Sequence, residues 1–323
     1  MAVSTEGTTG ALYLGLLVPA LIALIAGLVI HSFIIGVNVT DWWKGRSVTP
    51  VDHIVTSLGI SRMCAQCVGI LYTFIDILSL SSLELNITLL IISVIYHFFT
   101  YVNFWLTSLL SIVFCLKISN FHTRLFLYLR GTMAHRTVYF IVAVVLLSAV
   151  NSLMLLTATT DVTESGTYNT TMQNLSMDCM ISMHYVYSYT IGSLFPLLFY
   201  SISSVLLFTS LYQHTAKMKM SSNLSINLET YYSVMKFVSF TFIYNTLYIM
   251  GHFTCVFYYY FYCVILKWLY NLLDFLTVLN SSYLIYKTAK LRSQMFKILQ
   301  NVTDILFQRN DSETRENIEI VAL

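Results

Sequence analysis

Long apolar segments separated by short polar ones are the feature that most restricts how this chain can fold. Seven segments reach the roughly 20 residues that a helix needs to cross the hydrocarbon core of a bilayer. They lie at about Leu12–Val37, Ile54–Leu80, Ile87–Leu116, Val138–Leu156, Tyr185–Tyr212, Val234–Phe257 and Tyr262–Tyr286. The sequence therefore predicts that lipid surrounds most of the chain.

Charged residues are too few to cover a water-soluble globule of this length. They make up 10% of the 323 residues, whereas a soluble domain has about a quarter. A bilayer core admits only helices or closed barrels, because lipid cannot satisfy free backbone groups. The apolar segments show no alternation of period two. We therefore predict an all-α membrane protein, a bundle of seven transmembrane helices.

The distribution of cations predicts the orientation of this bundle. In a chain of seven spans, the odd-numbered separators lie on the same side as the C-terminal tail, and they hold most of the lysines and arginines. The opposite side has several carboxylates and a single cation, Lys267. Because cations collect on the cytoplasmic side, the N-terminus is predicted outside and the tail inside.

The ends of the chain and the longest separator fit this orientation. Residues 1–10 lack the positive region of a cleaved signal peptide, so the first helix is expected to be an uncleaved signal anchor. The separator around residues 157–180, predicted outside, has Asn-x-Ser/Thr triplets that make Asn169 and Asn174 predicted glycosylation sites.

A short amphipathic helix is predicted after the seventh span. Leu291, Met295, Ile298 and Leu299 fall on one helical face, with cations opposite, as in helices that lie at a membrane surface. The predicted organisation is an extracellular N-terminus at 1–11, a seven-transmembrane domain at 12–286, an amphipathic cytoplasmic helix at 287–300 and a cytoplasmic tail at 301–323.

The sequence has no motif for catalysis or for a resident metal. H-E-x-x-H, G-x-S-x-G and the phosphate-binding loop are absent, and no two histidines are three or four residues apart on a helix. We therefore predict no catalytic residue, metal, cofactor or nucleic-acid partner. The charged residues within the predicted spans, Arg62, Asp76 and Asp274, are functional candidates because ionisable groups are costly there.

Three segments resemble the type 2 taste receptors, the bitter receptors. "VNVTDWWKGRSVTPVDHIVTSLGISR" resembles their first cytoplasmic loop and second helix, "FWLTSLLSIVFCLKISNFHTRLFLYLR" their third helix, and "FPLLFYSISSVLLFTSLYQHTAKMKM" their fifth. The matching positions include Asn38, Asp41, Trp42, Lys44, Arg46, Ser61, Arg62, Trp105, Lys117, Asn120, Phe121, Pro196, His214 and Met218.

This resemblance implies a G-protein-coupled receptor of the plasma membrane that detects small, partly apolar bitter agonists and activates a gustducin-like heterotrimeric G protein. A related alternative is a vomeronasal type 1 pheromone receptor, against which the Asp-Trp loop and the Leu-Lys-Ile-x-Asn-Phe end of the third helix argue. An alternative from another class is a seven-helix transporter or channel. A transporter usually has helix-breaking residues at matching places in two halves, and Pro19 and Pro196 do not match in this way.

The resemblance also implies roles for individual residues. Lys117 and His214 are expected to face the G protein, and Asn38, Ser61, Arg62, Trp105 and Ser281 to have structural or activation roles. Arg62 is expected to be a hydrogen-bond hub with Asn38 or Ser281 among its partners. The ligand site is expected in the outer half, between helices three, five, six and seven. Its predicted residues are Tyr96, His97, Thr100, Tyr101, Tyr244, Leu247, Tyr248, Tyr270 and Asp274.

Some positions depart from the family pattern. Asn280 replaces the histidine that usually opens the motif at the end of the seventh helix. In the third helix, Tyr96 and Thr100 replace a frequent tryptophan and a frequent asparagine. Two of these three positions belong to the predicted ligand site, so the departures concern ligand choice more than the fold.

Overall fold

The computed structural model is helical along almost all of the chain that it describes, which is residues 3–78, 83–119, 124–165, 183–220, 225–262 and 264–321. Eight helices lie within these ranges. They are α1 (Val3–Trp43), α2 (Pro50–Leu78), α3 (Leu83–Ile118), α4 (Arg124–Ser165), α5 (Met183–Met220), α6 (Ser225–Tyr262), α7 (Lys267–Lys287) and α8 (Ala289–Val321).

Five of these helices are long and apolar enough to cross a membrane. The qualifying segments are Gly15–Trp43, Pro50–Asp76, Thr88–Ile118, His135–Met154 and Val186–Ala216. They confirm an all-α membrane protein. The sixth predicted span lies within α6, and most of the seventh forms α7, but neither is among the five, so their crossing of the membrane stays a prediction. Tyrosine and asparagine lower the mean hydropathy of both.

The predicted start of the seventh helix is wrong. Tyr262 is the last residue of α6, and α7 begins at Lys267. The stretch between them is as apolar as its flanks and has neither Gly nor Pro, so hydropathy gave no sign of a turn. The Lys267 N–H donates to the Ile265 carbonyl, 3.0 Å away, in the last residues before the helix.

A local sequence signal explains where α2 begins. The Thr49 hydroxyl accepts the Asp52 backbone N–H at 3.2 Å, and the Asp52 carboxylate accepts the Thr49 N–H at 3.0 Å. This reciprocal pair is a capping box, which satisfies backbone donors at a helix start. Pro50, the first residue of α2, suits that position because it has no N–H to leave unpaired.

α3 is the central helix of the bundle. It packs against α2, α4 and α5, and serine hydroxyls connect it to α5. The Ser203 hydroxyl donates to that of Ser111 at 2.7 Å, and Ser204 lies 3.1 Å from the same oxygen. Ser108 donates to the carbonyl of Pro196. Within a bilayer the hydrophobic effect does not drive helices together, so hydrogen bonds between small residues such as serine help them to pack closely.

Side-chain contacts hold the first part of α7. The Asn271 amide donates to the Leu16 carbonyl of α1 at 2.8 Å, and the Gln66 amide of α2 donates to the Asp274 carbonyl at 3.4 Å. The Tyr244 hydroxyl of α6 donates to Thr277 at 3.4 Å. These contacts connect the first part of α7 to α1, α2 and α6.

The chain divides into two compact units, Met1–Asn280 and Ser281–Leu323. In the second unit, the Lys287 ammonium lies 5.7 Å and 5.4 Å from the ring centroids of Tyr283 and Tyr286. The predicted short amphipathic helix of 287–300 is longer than expected, because α8 continues to Val321. Its exposed apolar residues continue past residue 300 to Ile305.

Candidate functional site

A cavity of about 310 Å³ opens at the end of the bundle where α2 and α6 finish and α3 and α7 begin. This is the end away from Lys117 and His214, and the predicted orientation makes it the outer one. Its lining residues come from α1, α2, α3, α6 and α7, and from the short connection before α7. They are Ala20, Leu24, Gln66, Gly69, Ile70, Tyr72, Thr73, Asp76, Leu89, Leu90, Ser93, Tyr96, His97, Cys255, Val256, Tyr259, Ile265, Lys267, Tyr270, Asn271 and Asp274.

Three charged side chains line this cavity. Lys267 forms an ion pair with Asp76, which connects the start of α7 to the end of α2. The third is Asp274, one helical turn below Tyr270 on α7. Within the described part of the chain, the Asp274 carboxylate has no ion pair and accepts no hydrogen bond; only its backbone carbonyl is used, by Gln66.

Aromatic rings form the wall beside Asp274. The Tyr96 and Tyr270 rings meet edge to face, with centroids 6.1 Å apart. His252, which is buried, lies behind them at 6.5 Å from Tyr96 and 6.0 Å from Tyr270. Aromatic pairs in this geometry add about 0.5–1.5 kcal/mol beyond their burial. The wall is therefore held in place before any ligand arrives.

The structure brings four of the nine predicted ligand residues to the cavity, namely Tyr96, His97, Tyr270 and Asp274. The other five do not line it. Leu247 points away, because its side chain is 58% exposed on the outer surface of α6. Thr100 is buried and donates to the Tyr96 carbonyl at 2.9 Å. Tyr101, Tyr244 and Tyr248 are core residues.

These core tyrosines explain why the cavity lies nearer α1 and α2 than expected. Tyr101 of α3 and Tyr189 of α5 are fully buried, with ring centroids 5.8 Å apart. They belong to a cluster that also contains Tyr244 and Tyr248 of α6. This cluster fills the space between α3, α5 and α6, where the ligand site was predicted. No described residue of α5 lines the cavity.

Sequence reasoning missed many of the lining residues, including all eight that come from α1 and α2. Gln66, Gly69 and Thr73 of α2 repeat at helical spacing and are less apolar than their surroundings, which is the signal that could have found them. Lys267 and Asp76 were each noted as unusual, but a sequence without a structure does not show that they pair.

A second, smaller polar site lies deeper in the bundle. Arg62, which is 4% exposed, lines a space of about 10 Å³ together with Asn103, Tyr200 and Asn245. The Ser61 hydroxyl donates to the Asn103 side chain at 2.7 Å. A space of this size holds about one water molecule. Arg62 is thus buried among polar groups of α2, α3, α5 and α6.

The other residues with predicted structural roles are placed as follows. Asn38 is buried, and its amide donates to the Thr56 hydroxyl at 2.9 Å, connecting α1 to α2. The Trp105 ring lies 6.1 Å from that of Phe199 on α5. Ser281 is buried on α7, in the second unit. That Asn38 or Ser281 pairs with Arg62 stays a prediction.

The residues predicted to face a G protein lie at the opposite end from the cavity. Lys117 is exposed at the last turn of α3. His214 of α5 stacks on Tyr231 of α6, with ring centroids 4.7 Å apart and planes at 21°. The predicted glycosylation sites, Asn169 and Asn174, lie outside the described residues.

Comparison with known proteins decides the family. The taste receptor protein (TAS2R) family model matches residues 9–303. The chain belongs to this family. The resemblance predicted from three segments is therefore confirmed over most of the chain, and the protein is a type 2 taste receptor, a member of a receptor family rather than of an enzyme family.

Individual relatives of this receptor match shorter stretches. The chain is 29% identical to taste receptor type 2 member 16 of Rattus norvegicus over 215 residues, 65% of this chain and 70% of that one. It is 38% identical to member 16 of Homo sapiens over 99 residues, 31% of this chain and about a third (32%) of the relative. Member 41 of Rattus norvegicus is 33% identical over 129 residues, 40% of this chain and 42% of that one.

Either single charge reversal in the Asp76–Lys267 ion pair should destabilise the receptor, and the double exchange should restore most of the lost stability. The side chains are 23% and 32% exposed, so partial screening limits the coupling to about 0.5–1 kcal/mol. We expect Asp76→Lys and Lys267→Asp each to lower the melting temperature of the purified receptor, and the double exchange to restore most of it. Additive losses in the double variant would show that the ion pair does not connect α2 to α7.

Proposed function

We propose that this receptor is a seven-span plasma-membrane protein that detects small, partly apolar bitter molecules outside the cell and activates a gustducin-like heterotrimeric G protein inside it. The observation that carries the proposal is the cavity of about 310 Å³ in a chain of this family, at the end away from the cation-rich turns. Its volume is at the lower end of the range for ligand pockets, which suits a small agonist.

The seven-span topology is supported by the charge distribution and the helix lengths. α6 has 38 residues and α7 has 21, and about 20 residues suffice to cross the hydrocarbon core. Seven crossings put the N-terminus and the cavity outside. Epitope tags at both ends of the chain test this in intact and permeabilised cells. We expect the N-terminal tag to be labelled in both and the C-terminal tag only after permeabilisation.

Signalling in this proposal depends on the packing between the inner ends of α5 and α6. His214 stacks on Tyr231 there, and the Thr215 hydroxyl contacts the Met235 sulfur at 3.9 Å. An agonist can shift the receptor only by binding better to one arrangement than to another. We infer that the agonist favours an arrangement in which these ends separate, so that Lys117 and His214 meet the G protein.

Removing the Tyr231 ring should raise signalling in the absence of agonist. The stack contributes about 0.5–1.5 kcal/mol, so its loss shifts the balance toward the separated arrangement by about two- to twelvefold. We expect Tyr231→Ala to raise basal calcium or inositol phosphate levels by a factor in this range. Tyr212→Ala is a matched control, because that tyrosine is 61% exposed on α5. Equal basal levels in both variants would contradict the role of the stack.

The overall proposal is tested by calcium imaging in cells that carry this receptor and a chimeric G protein. We expect responses to some members of a broad panel of bitter compounds, and none in cells without the receptor. Silence of a receptor that has reached the cell surface, across the whole panel, would argue against the proposed function.

A further inference from the structure

Among the acidic side chains that line the cavity, Asp274 is the one without a cationic partner in the described part of the chain. Asp76 and Lys267 neutralise each other at the rim, and within the described part of the chain no cation pairs with the Asp274 carboxylate. A carboxylate removed from water is unfavourable unless a positive group or several hydrogen-bond donors compensate it. The lining residues therefore lack one positive charge, which a ligand can supply.

The walls around this carboxylate suit a cation. Four tyrosines line the cavity, at positions 72, 96, 259 and 270, and aromatic faces attract ammonium groups within about 6 Å of the ring centroid. Much of the remaining wall is aliphatic, with Leu24, Ile70, Leu90 and Val256 among its residues. A ligand with one cationic group and an apolar body would match both parts.

Gln66 of α2 belongs to the same wall as Asp274. It is 4% exposed, and its side-chain oxygen has no hydrogen-bond partner among the described residues. Its amide nitrogen holds the Asp274 carbonyl at 3.4 Å. The oxygen lies so close to Gly27 that a Cβ there would be 2.1 Å from it. Gln66 therefore lies between α1 and α7 and holds the backbone of Asp274 in place, without offering a positive charge to its carboxyl group.

We propose that this cavity selects compact protonated amines, with the ammonium group at the Asp274 carboxylate, the tyrosine rings beside it and the apolar body against the aliphatic wall. This inference rests on the proposed receptor function, because it names the chemical class of its ligand. Neutral molecules of the same shape lack the charge that Asp274 requires, and anionic ones are repelled by it.

Direct binding to the purified receptor tests this selection without a G protein. The probes are phenethylamine and phenylbutylamine, their neutral counterparts phenethyl alcohol and phenylbutanol, and the anion phenylacetate. We expect the amines to raise the melting temperature of the receptor in detergent at concentrations where the alcohols and phenylacetate do not. Asp274→Asn should weaken the apparent affinity for the amines about thirtyfold, and Asp274→Glu should retain most of it.

Matched variants separate a local effect from a folding defect. Leu272→Ala, on the same helix and 46% exposed, should leave the amine effect unchanged. Lys267→Met frees the Asp76 carboxylate and should strengthen amine binding, whereas Asp76→Asn frees the Lys267 ammonium and should weaken it. These opposite signs do not arise from a general loss of stability.

The outcomes distinguish this inference from the proposed function. Stabilisation by the alcohols equal to that by the amines, no stabilisation by either amine, or an unchanged amine effect in Asp274→Asn would each overturn amine selection. Calcium responses to neutral bitter compounds in the same cells would leave the receptor function standing. Amine stabilisation without any calcium response would support the selection and count against the proposed signalling.

Discussion

Replacing Gly192 by valine should prevent most of the receptor from folding. A Cβ at this position of α5 would lie 2.9 Å from the Tyr101 ring of α3 and 3.4 Å from the Asn151 amide of α4. The Tyr101 ring is fully buried, with the Tyr189 ring 5.8 Å away, so it has little room to retreat. Overpacking of a core costs about 1–3 kcal/mol or more, and valine adds two methyl groups to that Cβ.

The measurement is the yield of monodisperse receptor after detergent extraction, followed by fluorescence on size exclusion. We expect the Gly192→Val yield to fall several-fold, since losses of about 1–2 kcal/mol already change abundance to that extent. Gly36→Val is the matched control, because nothing lies within 4 Å of a Cβ built there. Adding Tyr101→Leu, which removes the ring, should recover part of the yield.

Equal yields from the two glycine variants would contradict the close approach of α3 and α5. The close packing of α3 against α5 also supports the position of the candidate ligand cavity. If Tyr101 and Tyr189 did not fill the space between these helices, the ligand site predicted there would be open. The packing of one glycine thus bears on where a ligand can bind.

The sequence was sufficient to predict the helices, because membrane insertion depends on the length and apolarity of each segment. The first six predicted segments fall on α1 to α6. The start of the seventh could not be predicted from hydropathy. Val264, Ile265 and Leu266 lie outside a helix, but their side chains are as apolar as those of the neighbouring helices. The start of α7 is marked by the hydrogen bond from the Lys267 N–H to the Ile265 carbonyl and by the ion pair of Lys267 with Asp76. A hydropathy profile shows neither of these contacts.

The candidate site was only partly predictable, for a different reason. Tyr96 and Tyr101 are both aromatic residues of α3, and the sequence does not distinguish them. One lines the cavity and the other is buried in the core, because a separation of five residues turns their side chains about 140° apart around the helix axis. Asp274 could be predicted from the sequence, because a carboxylate within an apolar span is by itself a functional candidate.

Replacing Arg62 by methionine should separate membrane insertion from signalling. An arginine near the centre of a span costs about 2.5–3.5 kcal/mol on insertion scales, so a methionine of similar length should insert at least as well. Arg62 is nevertheless buried, beside Asn103, Tyr200 and Asn245. A charge retained at such a cost is expected to organise the polar groups around it.

We therefore expect Arg62→Met to reach the cell surface at or above the level of the unmodified receptor and to lose about tenfold or more in agonist potency, equivalent to at least about 1.4 kcal/mol. Arg62→Lys keeps the charge without the planar guanidinium, whose five donors a lysine does not replace, and should recover little of the potency. Surface labelling and calcium imaging on the same cells measure both quantities. Unchanged potency in Arg62→Met would contradict this role of the buried guanidinium. The bundle would then have to hold α2, α3, α5 and α6 together without a central cation, through the Ser61–Asn103 hydrogen bond and the contacts of α3.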